Sequence, residues 1–314
     1  MRLVFAGTPE PAVVALEKLL ASNHDVVAVI TRPDARRGRG RTLHPSPVAE
    51  LATANGIEVL RPTTLKPGTA DGQLLRSRLM ELAPDCIPVV AYGNLITPDL
   101  LEVAPHGWVN LHFSLLPAWR GAAPVQAAIA AGDIETGAVT FRIEKGLDTG
   151  PVFDRILEPI GSDDTADDLL TRLAHRGAKL LVDTMDGLGD GTLIPEPQSG
   201  DATYASKISK EDARIDWNSD ASVIGRRIRA YTPVPGAWTT LNGQRMKIGP
   251  VTVIDQDITG TLAPGEIRLT AAGVTVGTGD GCVVLQQIQA PGKKMMDAMD
   301  WARGAHPEEG TVLV

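Results

Sequence analysis

A chain of 314 residues is longer than one hydrophobic core usually organises, which predicts two domains. Apolar residues make up 43% but aromatics only 4%, so the cores must rely on Val, Leu, Ile and Ala. The net charge of −8, from 30 basic and 38 acidic residues, argues against a general nucleic-acid binder, yet residues 204–314 carry 12 of each sign, so the excess lies in residues 1–203.

Leu3 to Ala6 reads as a buried first strand, Gly7-Thr8-Pro9 as a turn, and Pro11 to Ala21 as a helix with proline where a missing N–H costs nothing. Val26 to Thr31 is a second apolar strand, and strand–helix–strand at this spacing is a βαβ unit of a parallel sheet. A third strand is expected near Ile57 to Arg61. Cys86 to Ala91 is a fourth, apolar on both faces as central parallel strands are, although Pro88 fits awkwardly inside it. Trp108 to His112 is the fifth, and Thr140 to Ile143 leads to a turn at Gly146. Thr165 begins a long helix, with Asp168 as its capping partner, that runs to about Leu188.

The segment 189–202, rich in Gly, Pro, Asp and Ser, has the composition of a linker. Short β-like runs follow at Ala237–Leu241, Arg245–Val253, Gly260–Ala263, Ile267–Thr270, Val274–Gly277 and Cys282–Gln289. Turn residues separate them, among them Asn242-Gly243 and Gly279-Asp280-Gly281, and the pattern predicts a small barrel. The expected organisation is α/β: a doubly wound, Rossmann-like parallel-sheet domain over residues 1–189, a linker over 190–203, and an OB-like β-barrel over 204–314.

The densest chemistry lies in Asn110-Leu111-His112-Phe113-Ser114-Leu115-Leu116-Pro117-Ala118-Trp119-Arg120-Gly121. On an extended strand Asn110 and His112 point to one face. They would stand at the carboxyl end of a parallel strand, where open α/β sheets bind ligands. A second polar element is Lys145-Gly146-Leu147-Asp148-Thr149-Gly150, whose glycines let the backbone bend around Asp148. A carboxylate beside a histidine can orient the ring and raise its pKa. Amide, imidazole and carboxylate together suit acyl transfer without a covalent intermediate. The amide stabilises oxygen charge, the imidazole moves a proton or supports that oxygen, and the carboxylate holds the imidazole. The alternative is that Asn110 and His112 are satisfied polar residues at a strand end and Asp148 an ordinary turn residue.

The run Asn110-x-His112-x-Ser114-Leu115-Leu116-Pro117, then Arg120-Gly121-Ala122-Ala123-Pro124 and Gly146-Leu147-Asp148-Thr149-Gly150, resembles the formyltetrahydrofolate-dependent formyltransferases. Val4-Phe5-Ala6-Gly7-Thr8-Pro9 and Val90-Ala91-Tyr92-Gly93 match as well, and the resemblance spans nearly the whole chain. It implies 10-formyltetrahydrofolate as co-substrate and Asn110, His112 and Asp148 as the catalytic trio. It also implies that Ser114, Leu115, Leu116 and Pro117, with Tyr92 and Gly93, lie against the folate.

The acceptor is read from charge. Residues 32–41 hold five arginines and one acid inside a net-acidic domain, which suggests a phosphate-rich partner rather than only a solvated loop. This stretch, with Leu43-His44-Pro45-Ser46-Pro47-Val48 after it, resembles the acceptor-arm loop of family members that formylate initiator methionyl-tRNA, and implies tRNA contact for Arg36, Arg37, Arg39 and Arg41. Ala202-Thr203-Tyr204-Ala205, Asp216-Trp217, Ile228-Arg229-Ala230-Tyr231 and Pro235-Gly236-Ala237-Trp238 resemble the family's C-terminal domain. There Lys207, Arg226, Arg227, Arg229, Lys247, Lys293 and Lys294 are candidates for phosphate contact, since a small barrel with basic loops is a common nucleic-acid platform.

Two distant cysteines, Cys86 and Cys282, suggest a reduced cytoplasmic protein, and no stretch of apolar residues is long enough to span a membrane. The scattered histidines show no metal-ligand spacing, and a monomer is the expected state. The turn at Gly7 is not G-x-G-x-x-G, so a nicotinamide dehydrogenase is disfavoured. Two rivals remain: the same chemistry on a nucleotide-linked amino sugar, in an enzyme that should lack the arginine loop, and a catalytically silent folate- or RNA-binding protein. A relative acting on glycinamide ribonucleotide would lack the C-terminal domain altogether.

Overall fold

The computed structural model describes residues 1–37, 42–254, 262–308 and 310–314. The chain opens with β1 (Arg2–Gly7) and α1 (Glu10–Leu20), with Pro11 in the first turn of α1. β2 (Asp25–Ile30) follows, then an antiparallel hairpin of β3 (Ala35–Arg37) and β4 (Thr42–His44). α2 (Pro47–Ala54) begins at Ser46, whose hydroxyl accepts the Ala49 N–H at 3.0 Å. Next come β5 (Glu58–Leu60), α3 (Ala70–Leu82), β6 (Ile87–Val90), β7 (Trp108–His112) and the short β8 (Arg120–Gly121). α4 (Pro124–Ala131), β9 (Glu135–Arg142), β10 (Val152–Pro159) and α5 (Ala166–Gly189) lead to β11 (Tyr204–Ala205). Then follow α6 (Ala221–Ala230), β12 (Trp238–Leu241), β13 (Gln244–Ile248), β14 (Val251–Ile254), β15 (Ile267–Thr270), β16 (Gly273–Gly277), β17 (Cys282–Leu285), β18 (Gln287–Gln289), β19 (Met296–Asp297) and α7 (Ala298–Ala305).

These elements pack into two units that are not contiguous in sequence. The first contains residues 1–121, 135–159 and 170–204; the second contains 122–134, 160–169 and 205–314. The segment that composition reads as a linker therefore belongs to the first unit, where Glu196 and Val152 exchange backbone hydrogen bonds of 2.8 Å. Among the described residues, no helix is long and apolar enough to cross a membrane.

The first unit is built on a seven-stranded sheet in the order β10-β9-β7-β6-β1-β2-β5. β5, β2, β1, β6 and β7 run parallel, as the βαβ pattern requires. β9 and β10 extend the sheet antiparallel beyond β7, so the expected all-parallel sheet is mixed at this edge. Helices cover both faces. α3 places Leu75, Leu79 and Leu82 with Val4, Ala6, Ala28, Ile30, Ile87 and Val89 of the sheet. On the other face α1 comes so close that a Cβ on Gly7 would stand 2.7 Å from the Ala12 Cβ, which is why a glycine ends β1.

Pro88 is tolerated because the β1–β6 ladder is interrupted at its position. Leu3 bridges Cys86 and Ala6 pairs with Val89, with no ladder pair between them. Ile87 donates to the Gly107 carbonyl on the β7 side, so the next nitrogen, that of Pro88, faces the interrupted β1 ladder.

In the second unit the described strands form two antiparallel sheets, β12-β13-β18-β19 and β14-β17-β16-β15. β13 runs on into β14, and β17 into β18, through one or two intervening residues, so the same chain segments serve both sheets in the manner of a small barrel. Trp217, together with Ile224 and Ile228 of α6 and Trp301 of α7, joins Met246, Ile248, Val276, Val283 and Ile288 in one apolar core. Asn242 and Gly243, both at positive φ, form the expected two-residue turn between β12 and β13. Asp280 of the Gly279-Asp280-Gly281 turn accepts the Ala221 N–H at the start of α6 (2.8 Å). Of the run expected at Gly260–Ala263, Gly260 and Thr261 lie outside the described residues, and Leu262 and Ala263 are not in a strand. Within this unit Thr165 and Asp168 form the predicted capping box: Asp168 accepts the Thr165 N–H at 3.0 Å, and the Thr165 hydroxyl accepts the Asp168 N–H at 3.3 Å.

Candidate active site

β7 carries Asn110 and His112 to its carboxyl end. Register places Asn110 beside Val89 of β6 and Phe141 of β9, and His112 beside Val139 of β9. Asn110 is half-buried, whereas His112 is only 6% exposed and meets the Phe141 ring edge-on at 6.3 Å. Asp148 comes from the loop between β9 and β10. That loop folds back so tightly that a Cβ on Gly150 would stand 1.7 Å from the Arg142 carbonyl oxygen.

His112 Nδ1 lies 3.8 Å from Asp148 Oδ2, while Nε2 is 3.0 Å from the Trp119 carbonyl oxygen. A carbonyl can only accept, so Nε2 donates, and the neutral ring leaves Nδ1 as its acceptor facing the carboxylate. The expectation that the carboxylate holds the ring is thus revised. At 3.8 Å the carboxylate is beyond hydrogen-bond reach of the ring, and the Trp119 carbonyl orients the imidazole. Asp148 Oδ2 instead accepts the Gly121 N–H at 2.7 Å. Burial holds the His112 pKa below its usual value, while the Asp148 charge and the Trp119 hydrogen bond act in the opposite direction. The neutral ring is therefore the resting form near pH 7.

The backbone here is strained. Ala91, Trp119 and Asp148, three of the six non-glycine residues at positive φ among those described, flank the site. Such conformations persist where the surroundings over-determine them, and they cluster at functional sites.

The residues predicted to meet folate divide into exposed and engaged groups. Gly93 is exposed at φ +86, and Leu115 and Pro117 are half-buried. Tyr92 is buried, and its carbonyl accepts the Thr8 hydroxyl at 2.9 Å. Ser114 is fully buried, and its hydroxyl donates to the Ala118 carbonyl at 2.6 Å, so its side chain closes the turn and only its surroundings are open to a ligand. Leu116 is buried with Val139, Phe141 and Val152.

Of the predicted phosphate ligands, Arg36, Lys207, Lys293 and Lys294 are exposed. Arg37 lies on β3, and Arg39 and Arg41 fall outside the described residues. Arg229 is half-buried and donates to the Asp164 carbonyl at 2.9 Å, and Lys247 donates to the Pro235 carbonyl at 2.8 Å. Both are bound into the second unit. Sequence reasoning missed the Trp119 carbonyl, the Gly121 amide and Gln198, the last of which donates to the Asp148 and Gly150 carbonyls at 2.8 Å each. Only Arg120-Gly121 stood inside a recognisable motif.

Cys86 is buried, its thiol pushed up to about 12, and supplies no thiolate for a covalent route. An open α/β sheet that ends in an amide, a neutral imidazole and a carboxylate is the setting of a group-transfer enzyme. Residues 1–185 match the formyl transferase family model, and residues 207–306 match that of the formyl transferase C-terminal domain. The chain belongs to the formyl transferase family. A methionyl-tRNA formyltransferase from Corynebacterium efficiens is 67% identical over 310 residues, covering 98% of each chain. Among solved structures, an N-formyltransferase from Helicobacter canadensis, in complex with folinic acid and dTDP-3-aminofucose, shares the fold with a TM-score of 0.67 at 22% identity, over 92% of this chain and 98% of that one. A methionyl-tRNA formyltransferase from Clostridium thermocellum does so with a TM-score of 0.56 at 17% identity, over 82% and 95%.

Proposed function

We propose that this chain transfers the formyl group of 10-formyltetrahydrofolate to the α-amino group of methionyl initiator tRNA. The observation that carries the acceptor is the 67% identity, across nearly the full length of both chains, to a methionyl-tRNA formyltransferase. Fold likeness does not select it, because a structure with an amino-sugar nucleotide bound resembles this chain at least as well.

The residues present fit a folate. A flat heterocycle with a polar edge needs an apolar wall and free backbone groups. Leu115 and Leu116, packed with Val139, Phe141 and Val152, would supply such a wall, and the exposed residues Ala91 and Gly93 would offer backbone polar groups. When bound, the folate supplies the formyl carbon at which the amine attacks. The Asn110 amide then donates to the formyl oxygen as charge develops there. Neutral His112 would accept the proton of the attacking amine at Nδ1, with Asp148, 3.8 Å away, stabilising the imidazolium, and would return that proton to the departing folate nitrogen as its bond to the formyl carbon breaks and tetrahydrofolate leaves. The Trp119 carbonyl keeps the ring from rotating, so the proton arrives at the nitrogen that faces the carboxylate.

The exposed Arg36, Lys207, Lys293 and Lys294, with Arg37, Arg39 and Arg41 of the arginine-rich stretch, meet the tRNA phosphates. Arg229 and Lys247 serve the fold. The enzyme works as a cytoplasmic monomer, with no metal required.

The test is a formylation assay with 10-formyltetrahydrofolate in which charged initiator tRNA and a nucleotide-linked amino sugar are offered in parallel. Formyl-methionyl-tRNA formation that weakens with added salt is expected. Transfer to the sugar alone would keep the trio and overturn the acceptor, and transfer to neither would overturn the activity.

A further inference from the structure

The segment that composition reads as a linker runs past the catalytic loops and is hydrogen-bonded to both. Gln198 donates through Nε2 to the carbonyls of Asp148 and Gly150, 2.8 Å each, and accepts through Oε1 from Arg120 Nη2 at 2.6 Å and Nε at 3.2 Å. The orientation of its amide follows from chemistry, since guanidinium only donates and carbonyls only accept. Two residues upstream, Glu196 pairs with Val152 at the exit of the Asp148 loop. Five residues downstream, the Thr203 hydroxyl accepts the Trp119 N–H at 2.8 Å, and the Thr203 carbonyl accepts the Arg120 N–H at 2.9 Å.

We infer that this segment is a brace for the active site and that Gln198 is a positioning residue for Asp148. The inference rests on the reading of Asp148 given under Proposed function. Asp148 sits at φ 50, a conformation a non-glycine residue keeps only when tied down, and its loop has to bend sharply to reach His112. Gly121 ties down the carboxylate at one end, and Gln198 ties down the backbone at the other. The same segment fixes Trp119, whose carbonyl orients the His112 ring. Both partners of His112 are therefore set by one stretch of chain that touches neither ring nor carboxylate. A displacement of about 1 Å in such a constellation can cost up to about 10²-fold in rate.

The experiment is a double-mutant cycle in the full-length protein, read as kcat and KM for folate and tRNA, with the melting temperature as a check on folding. Gln198→Ala should lower kcat about tenfold or more while each KM changes by no more than about twofold. In the Asp148→Ala background the same change should have almost no further effect, because Gln198 acts through Asp148. Gln198→Glu keeps an acceptor for Arg120 but removes both donors, and should lose at least as much turnover as Ala. It carries the test if the alanine variant fails to fold. Equal loss in both backgrounds, full activity in Gln198→Glu, or an unchanged kcat in Gln198→Ala would each overturn the inference. Wild-type turnover in Asp148→Ala alone would instead overturn the role of Asp148, so the two failures read differently.

Discussion

His112 is buried, its Nε2 bonded to the Trp119 carbonyl, and the carboxylate beside it is tied to the Gly121 amide and, through its own backbone, to Gln198. Arg36, Lys207, Lys293 and Lys294 are the reverse: exposed, on a hairpin strand or in loops, with their charge in water. Each arrangement suits its task. Proton transfer and oxyanion stabilisation depend on position to fractions of an ångström, which a dry, hydrogen-bonded setting supplies. Phosphate attraction is long-ranged and tolerant of geometry, so a solvated cation serves and a rigid one gains little. Changes in the first region should therefore be large, concentrated in kcat and indifferent to salt. Changes in the second should be small, confined to tRNA binding and steeply salt-dependent.

The largest effects test the first half of that contrast. Asn110→Ala should lower kcat by about 10²- to 10³-fold through loss of an oxyanion donor. Asp148→Ala should lower it by about 10²-fold. In both, tRNA affinity should hold, and the ratio to wild type should be the same at low and raised ionic strength. A loss that disappears at low salt would mean that these residues act through tRNA binding, and the contrast would break.

A middle-sized effect concerns pH. Because burial lowers the His112 pKa from 6.5, the ring is neutral at pH 7 and charges only at lower pH. The proton-accepting form is then lost as pH falls through that lowered pKa, so kcat should decline on an acid limb centred below 6.5. Asp148→Asn removes the charge that pulls the pKa up, and should move the limb further toward acid in whatever turnover remains. A kcat that instead falls as pH rises through that lowered pKa would mean that a charged His112 is the working form, supporting the oxygen rather than taking the proton.

The smallest effects test the second half. Arg36→Gln or Lys293→Gln should raise KM for tRNA a few-fold, leave kcat unchanged and reduce the slope of log affinity against log salt by about one each. Arg229→Gln should differ from these by lowering stability, since its guanidinium donates to the Asp164 carbonyl. A kcat effect from the exposed cations would erase the distinction between the two regions.

What the sequence determined by itself is whatever is written in short-range pattern. The apolar runs of β1, β2, β6 and β7, the capping box of Thr165 and Asp168, and the Asn242-Gly243 turn are legible because each depends on residues within a few positions of one another. Asn110 and His112 could be paired for the same reason, two residues apart on one strand. Asp148 could be set beside them only as one of two open readings, and choosing between these, like assigning 10-formyltetrahydrofolate and methionyl-tRNA, needed the family resemblance. The tertiary structure decided the rest. The antiparallel turn of the sheet at β9 and β10, the interrupted ladder that admits Pro88, and the membership of residues 122–134 and 160–169 in the second unit all depend on distant pairings. The same holds for the Gln198 brace, whose partners Asp148 and Arg120 lie 50 and 78 residues away. Composition reads that stretch as a linker because Gly, Pro, Asp and Ser form no periodic structure. Hydrogen bonds to remote carbonyls need none, only a chain free of regular structure that is held in place by what it touches.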